Sequence, residues 1–168
     1  ICDVGSIKPD YQPGHAHAET LSFEASFYGK RFIVNSGISN YWDLSKRYFE
    51  RSTKSHSTLE IDNINSSEVW SHFRVANREK IIKKNNLNDK KYSLVYAEHD
   101  GYKRLKGSPI HARKWILSLK QLIILDEVKG KGLHEFCIRF YLHPKCNIKE
   151  ISPNKLSIIY QEKGSFIS

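Results

Sequence analysis

Short runs in which apolar and polar residues alternate are the dominant pattern of this sequence. The clearest covers residues 21–28, where every second position is apolar, namely Leu21, Phe23, Ala25 and Phe27. A period of two is typical of a strand with one buried face. Gly29-Lys30 then favours a tight turn, and Phe32-Ile33-Val34 a returning strand. The pattern therefore predicts an antiparallel hairpin in this part of the chain.

Similar strand-like runs recur along the chain and are separated by turn residues. They cover residues 58–61, 92–98, 114–119, 122–128, 136–142 and 156–160. One short helix is predicted over residues 43–51, with Asp43 as its N-cap and Leu44, Tyr48 and Phe49 on one side. Together these elements predict an all-β fold, a supersandwich-like antiparallel β-sandwich with at most one or two short helices.

Length and composition fit one soluble-type domain. The chain has 168 residues, enough for a single β-sandwich domain over residues 1–168 with its own core. No apolar run approaches the roughly 20 residues that a membrane span needs, so no span is expected. The chain begins at Ile1 and contains no Met. We therefore expect it to be a piece of a longer protein, whose targeting segment would lie elsewhere.

Positive charge narrows the range of partners. Lys and Arg number 27 against 18 Asp and Glu, which gives a formal net charge of +9. Such an excess attracts anionic molecules such as nucleic acid, anionic lipid or acidic polysaccharide. No nucleic-acid-binding motif accompanies the charge, so we expect no nucleic-acid partner. Part of the excess, the lysines that flank Asn85-Asn86, is interpreted as a solvated loop.

The three cysteines, Cys2, Cys137 and Cys146, have no spacing typical of a metal or redox site. They are most simply unpaired thiols, and a Cys137–Cys146 bridge is the alternative.

The first candidate for chemistry is the pair His15-x-His17. Residues two apart on a strand point to the same side, so both imidazoles could face one site. Pro13-Gly14 precedes them and could instead place the pair in a turn at the entrance of a strand. Taken alone, the pair fits a metal site, a catalytic site or a surface role.

Two further residues add to this candidate. Asn35 ends the returning strand of the predicted hairpin, which brings it back towards His17. His56 enters the strand predicted at residues 58–61. Two histidines and an oxygen ligand would suit a zinc ion with one open position. The alternative is that Asn35 caps a turn and that His56 binds only to the backbone.

A third candidate is the alternating triplet His111, Arg113 and Trp115 on one face of a predicted strand. The indole could stack on a sugar ring while the guanidinium pairs with its carboxylate. Equally, Arg113 could stack on Trp115 and simply cover the sandwich.

Taken in order, these motifs resemble the heparinase II/III family of polysaccharide lyases. The first block that carries the resemblance is Pro9-Asp10-Tyr11-Gln12-Pro13-Gly14-His15-Ala16-His17-Ala18-Glu19-Thr20-Leu21-Ser22-Phe23. It is followed by Val34-Asn35-Ser36-Gly37, by Arg51-Ser52-Thr53-Lys54-Ser55-His56, by His99-Asp100-Gly101-Tyr102 and by His111-Ala112-Arg113-Lys114-Trp115. The matching blocks extend over most of the chain.

The resemblance implies a two-part enzyme in which a helical toroid precedes a β-sandwich that closes over the substrate cleft. This chain would be the C-terminal sandwich, and the toroid of the same protein would be its partner. Members of the family cleave uronic-acid polysaccharides, such as heparan sulfate or alginate, by β-elimination. Because the toroid supplies further catalytic groups, we expect the isolated chain to be nearly inactive. A periplasmic or secreted location is usual in the family.

The resemblance also implies roles for single residues. His15 would face the cleft as the catalytic histidine, while His17, Asn35 and His56 would hold zinc. Asn35 departs from the Asp that is usual in the family, and an amide is a weaker zinc ligand because it carries no charge. Tyr11, Arg113 and Trp115 are expected to contact substrate. The rival hypothesis is a non-catalytic module that binds anionic glycans or packs against another domain.

Overall fold

The computed structural model describes residues 1–7, 11 and 13–161, and within them antiparallel strands predominate. The twelve strands are β1 (Ala25–Phe27), β2 (Lys30–Ile33), β3 (Leu59–Ile61), β4 (Glu68–Trp70), β5 (Arg74–Ala76), β6 (Ile81–Asn88), β7 (Tyr92–His99), β8 (Ile110–Ser118), β9 (Leu122–Lys129), β10 (Phe136–Ile138), β11 (Cys146–Ser152) and β12 (Lys155–Tyr160). One α-helix, α1 (Leu44–Arg51), and two short 3-10 turns at Pro13–His15 and Thr53–Ser55 complete the described part. The predicted all-β class is confirmed.

The largest sheet consists of β6, β7, β8 and β9 in that order, and each strand pairs antiparallel with its neighbour. Four two-stranded ladders accompany it, namely β1–β2, β3–β10, β4–β5 and β11–β12. The inner face of the large sheet contributes Ala97 and Trp115 to the main core, where they meet Leu21 and Phe23 from the first segment of the chain. Ala25 of β1 and Ile33 of β2 also pack against this core, so the first hairpin lies against the large sheet, in agreement with the predicted antiparallel β-sandwich.

Two predictions for the first hairpin and the helix have clear outcomes. The turn between β1 and β2 is Tyr28-Gly29, one residue earlier than predicted, and both residues have positive φ (49° and 75°). Helix α1 is confirmed, because the Asp43 side chain accepts hydrogen bonds from the backbone N–H groups of Ser45 and Lys46. Its buried residues, however, are Arg47 and Arg51. The apolar side chains that the sequence pattern places on one side of the helix are about half exposed, namely Leu44, Tyr48 and Phe49.

The lysine-rich segment around Asn85-Asn86 was wrongly interpreted as a loop. It forms β6, an edge strand whose residues 82–88 are all exposed. An edge strand with both faces in water needs few apolar residues, which explains why hydrophobic periodicity did not find it.

Cys2, Cys137 and Cys146 are unpaired. Within the described residues, no helix has the length and apolar character needed to cross a membrane.

Candidate functional site

A compact cluster of metal-ligand side chains lies just after the first 3-10 turn. Nδ1 of His17 lies 3.3 Å from Nε2 of His56, and Nδ1 of His56 lies 3.4 Å from a carboxylate oxygen of Glu19. One ligand atom from each of the three residues falls within 4.8 Å of the others. We call His17, Glu19 and His56 the triad cluster.

Asn35 supports this cluster through its side-chain amide. Its Nδ2 donates a hydrogen bond of 2.9 Å to Oε2 of Glu19, while its Oδ1 accepts one from the backbone N–H of Gly37. The hairpin thus places Asn35 beside the predicted site, and the local turn cap that was the alternative is also present. The structure brings Glu19, rather than Asn35, into the group with both histidines. Sequence reasoning missed Glu19 as a ligand, although it lies two residues after His17.

Burial sets the protonation state of the two histidines. The pKa of His17 is lowered to about 4, mainly by loss of hydration and also by the neighbouring His56, Arg47 and Arg51, while Glu19 opposes the shift. Burial likewise lowers the pKa of His56 to about 4. Both imidazoles are therefore neutral near pH 7 and present free lone pairs, which is the form that binds metal.

The triad cluster fits a zinc ion chemically. Two neutral imidazoles and one carboxylate form a common donor set for zinc and leave a fourth position open. Nδ1 of His56 is buried, and its neighbour at 3.4 Å is a carboxylate oxygen of Glu19, with which it makes no well-aligned hydrogen bond. Buried polar atoms normally have a partner, so this nitrogen is suited to a cation.

The segment that carries His15 and His17 is held mainly through its backbone. Arg51, which is fully buried, donates from Nε to the carbonyl oxygen of Ala16 at 2.9 Å. The backbone N–H of Ala18 donates to the carbonyl oxygen of Arg51, and the Thr53 hydroxyl donates to the carbonyl oxygen of Ala18. The Arg-Ser-Thr part of the sequence motif therefore positions the segment, and His56 at the end of the same motif completes the triad cluster.

His15 lies outside the triad cluster and is exposed. Its ring makes edge-on contacts with Tyr41 and Phe73, with centroid distances of 5.9 and 6.2 Å. His15 and His17 also line one polar cavity of about 250 Å³ together with Asp3 and Glu19. The two histidines are therefore separated into an exposed and a buried position that share one cavity wall, although neither lies on a strand.

Asp3 adds a carboxylate to this cavity. The pKa of Asp3 is raised to about 6, mainly by burial and also by the nearby Glu19, while a hydrogen bond from the backbone N–H of Gly5 opposes the shift. The negative charge that faces the cavity therefore increases between weakly acidic and neutral pH.

The other predicted substrate contacts lie elsewhere. The structure buries Arg113 and Trp115 in the interior, at 0% and 2% exposure, so neither side chain offers a surface to a polysaccharide. Arg113 pairs with Asp126 at 2.7 Å and donates to the carbonyl oxygens of Leu21 and Ser57. Arg113 therefore links β8 to Asp126 of β9 and to the backbone of the segments that contain Leu21 and Ser57. Tyr11 is highly exposed, and no contact places it in the cavity.

A second histidine pair is buried in the same core. The backbone N–H of Gly101 donates to Nδ1 of His99, whose Nε2 lies 3.1 Å from Nδ1 of His111. Nε2 of His111 in turn lies 2.6 Å from Asp126. Each ring therefore carries its proton on Nε2 and donates to the next acceptor, and burial lowers the pKa of both. Because every ring nitrogen is partnered, this pair is a structural element.

Comparison with known proteins gives one match. Neither a curated protein nor a solved structure matches the sequence significantly. The family described as "Heparinase II/III-like, C-terminal" matches residues 1–168, which is the whole chain. On this match, which agrees with the β-rich fold, the chain belongs to the heparinase II/III-like C-terminal domain family.

Proposed function

We propose that this chain is the β-sandwich part of a lyase that cleaves uronic-acid-containing polysaccharide by β-elimination. The observation that carries the proposal is the separation of the His15-x-His17 pair, with one exposed imidazole beside a cavity and one buried imidazole in a metal-type cluster. Family membership and the net charge of +9 support an acidic polysaccharide as the substrate.

The reaction explains why such groups are needed. A base removes the proton on the carbon next to the uronate carboxylate, the bond to the neighbouring glycosidic oxygen breaks, and an acid protonates that oxygen. Negative charge grows on the carboxylate oxygens in the transition state. His15 is the exposed imidazole at the cavity, and we assign it a hydrogen bond to this carboxylate or to the departing oxygen. A helical domain preceding this chain in the same protein would supply the remaining groups.

The proposal includes a zinc ion held by His17, Glu19 and His56. When bound, the ion supplies a fixed positive charge and ties the segment with His15 to the turn at Thr53–Ser55. In the free protein, the Asn35 amide holds the Glu19 carboxylate beside the two imidazoles. Glu19 thus replaces, from a different position, the charged ligand that Asn35 cannot provide.

Zinc binding to the purified chain tests the metal part. We expect one equivalent by elemental analysis, with affinity reduced at least about tenfold in Glu19→Gln because the ligand loses its charge. Glu24→Gln is the matched control, because Glu24 pairs with Arg31 away from the cluster. Equal zinc affinity in Glu19→Gln and the control would show that Glu19 is not a ligand.

Formation of unsaturated uronate, followed by its ultraviolet absorbance, tests the reaction. The isolated chain should form almost no unsaturated uronate from heparan sulfate or alginate. A longer protein that contains this chain and its helical domain, here called the joined protein, should form the product steadily. In the joined protein, His15→Ala should lower kcat by about 100-fold or more. His143 stacks on Tyr160, and His143→Ala should leave kcat unchanged.

Two results would overturn the reaction. Product formation by the isolated chain would contradict the need for a helical domain. Tight binding of acidic glycan without product from the joined protein would favour a non-catalytic glycan-binding module. A periplasmic or secreted location, where such substrates occur, is part of the proposal and can be tested by fractionating cells.

A further inference from the structure

An exposed group of aromatic rings surrounds His15. Tyr41, Trp42, His72 and Phe73 line a cavity of about 680 Å³ with His15. Trp42 is 90% exposed, and Tyr41 and Phe73 are exposed by 39% and 48%. We call these four residues the aromatic platform. Single exposed apolar residues are ordinary, but a contiguous group beside a functional residue points to a binding surface.

The platform is built rather than accidental. Arg47 is fully buried beneath it, with its guanidinium carbon 5.0 Å from the centroid of Tyr41 and 5.7 Å from that of Phe73. Its Nε donates to the carbonyl oxygen of His72, and its Nη2 lies 3.4 Å from the carbonyl oxygen of Gly14. One residue thus joins the start of helix α1, the β4–β5 turn and the segment that carries His15.

The individual rings are also held in place. Tyr41 stacks on Phe73 with an interplanar angle of 18° and a centroid distance of 6.0 Å. The backbone N–H of Trp42 donates to Oδ1 of Asn40, and the carbonyl oxygen of Trp42 lies 3.3 Å from Nε2 of His72. These two contacts fix the backbone of Trp42, while its indole is 90% exposed and open to a ligand.

The lining indicates the kind of occupant. None of the described residues that line this cavity is Lys, Arg, Asp or Glu. A carboxylate or sulfate group would therefore meet no charged side chain at the cavity surface, because Arg47 is buried beneath the rings and donates to backbone carbonyl oxygens. The flat side of a pyranose ring has C–H bonds that point away from it, and these are attracted to the negative face of an aromatic ring. The chemistry therefore favours the uncharged face of a sugar.

We propose that the aromatic platform is a sugar subsite, in which Trp42 and Phe73 bind the ring next to the uronate at His15 and favour an unsulfated sugar. This inference rests on the proposed function, because it takes the polysaccharide chain as the ligand and His15 as the point of attack. It adds which ring is recognised by stacking and which sugars the subsite disfavours.

Titration of the labelled chain with an unsulfated tetrasaccharide of alternating glucuronic acid and N-acetylglucosamine tests the subsite. We expect Trp42→Ala to weaken binding about five- to tenfold. Trp70→Ala is the matched control, since Trp70 is a half-exposed tryptophan beneath Arg74 and outside the platform. It should change the Kd less than twofold. Binding of a fully sulfated heparin tetrasaccharide should depend much less on Trp42.

The outcomes separate the subsite from the reaction. If Trp42→Ala and Trp70→Ala bind the unsulfated tetrasaccharide equally, or if the wild-type chain does not bind it at millimolar concentration, the subsite is refuted. In the joined protein, Trp42→Ala should raise KM and change kcat little, whereas His15→Ala lowers kcat. Unchanged KM with intact product formation would overturn the subsite alone, and the proposed reaction would stand.

Discussion

At the scale of single residues, the least expected feature is the burial of charged side chains around the site. Arg47, Arg51 and Arg113 are fully buried, and most of their hydrogen bonds go to backbone carbonyl oxygens. A guanidinium offers five donors in a fixed plane, so a single side chain can satisfy several carbonyl groups from different segments. The segments around the candidate site are therefore held in position by buried arginines.

Replacement of Arg51 tests this role. Its guanidinium donates to the carbonyl oxygens of Ala16, Ser71 and Arg74. Lys keeps the charge but cannot reach three acceptors, so Arg51→Lys should lower the free energy of unfolding by about 2–3 kcal/mol. Chemical denaturation measures the loss. Arg31→Lys, an exposed pair with Glu24, should cost less than about 0.5 kcal/mol. Similar losses in both variants would contradict the assignment.

Glu79 gives a prediction about pH. Its side chain is 1% exposed and accepts a hydrogen bond from Thr20, and burial raises its pKa from 4.5 to about 7. The folded protein holds this proton more tightly than the unfolded chain does. The contribution of Glu79 to stability is therefore complete below pH 4.5 and is lost as the pH rises to 7.

Glu79→Gln should remove this dependence. Relative to wild type, the free energy of unfolding of the variant should increase by on the order of 3 kcal/mol between pH 4.5 and 8, because Gln cannot ionise. Denaturant titrations at several pH values measure the difference. The shifts at the buried histidines are common to both proteins and cancel. A difference that stays constant with pH would show that Glu79 is ionised throughout.

Much of the site could be predicted at the residue level, and the missing parts have physical reasons. His17 and His56 are in the triad cluster, and Asn35 lies beside it, because the hairpin brings distant positions together as expected. Glu19 was missed because its place in the cluster depends on the hydrogen bond from the Asn35 amide to its carboxylate, and sequence spacing does not reveal that contact. Arg113 and Trp115 do share a strand face, but alternation alone does not say whether that face points inward or outward.

At the scale of elements, helix α1 has the opposite arrangement from a usual amphipathic helix. Its two arginines, one turn apart, face the protein, while Tyr48 and Phe49 are half exposed. Hydrophobic periodicity therefore gives the correct helix limits but does not identify the buried face. The N-cap was predictable because capping by Asp43 is local. Strand β6 was not, because its stability comes from pairing with β7 rather than from burial.

The β1–β2 turn offers a test at this scale. Tyr28 occupies the first position of the turn with φ of 49° and is 99% exposed. Asn tolerates this conformation better than Tyr and is preferred before Gly in such turns. Tyr28→Asn should therefore raise the free energy of unfolding by about 0.5–1 kcal/mol, measured by thermal and chemical denaturation. Tyr28→Val, which is β-branched, should lower it, and the opposite order would contradict the assigned turn.

At the scale of the whole molecule, the proposed function gives charge and shape separate roles in binding. The net charge of +9 should attract polyanions over distances comparable with the screening length, whereas the aromatic platform and His15 should act only on contact. Long-range attraction should increase the rate of encounter, and the contacts near His15 should decide which part of the polysaccharide stays.

Salt dependence separates the two contributions. The Kd of the chain for a heparin octasaccharide should rise about tenfold between 50 and 300 mM NaCl, because salt screens the charges and counterions compete. The loss of affinity caused by Trp42→Ala with the unsulfated tetrasaccharide should stay nearly the same at both salt concentrations, since stacking carries little net charge. Calorimetry at the two salt concentrations measures the Kd for heparin and the effect of Trp42→Ala. A Kd for heparin that does not change with salt would contradict the electrostatic contribution.

The buried arginines have a consequence for how this protein can diversify. Arg47 and Arg51 hold Gly14, Ala16, Ser71, His72 and Arg74 by their carbonyl oxygens, which every amino acid possesses. Side chains on these loops can therefore be replaced while the hydrogen bonds from the two arginines to the loop backbone are kept. Libraries randomised at Trp42, His72 and Phe73 should contain many folded members with new sugar preferences, which makes this surface a practical starting point for engineering.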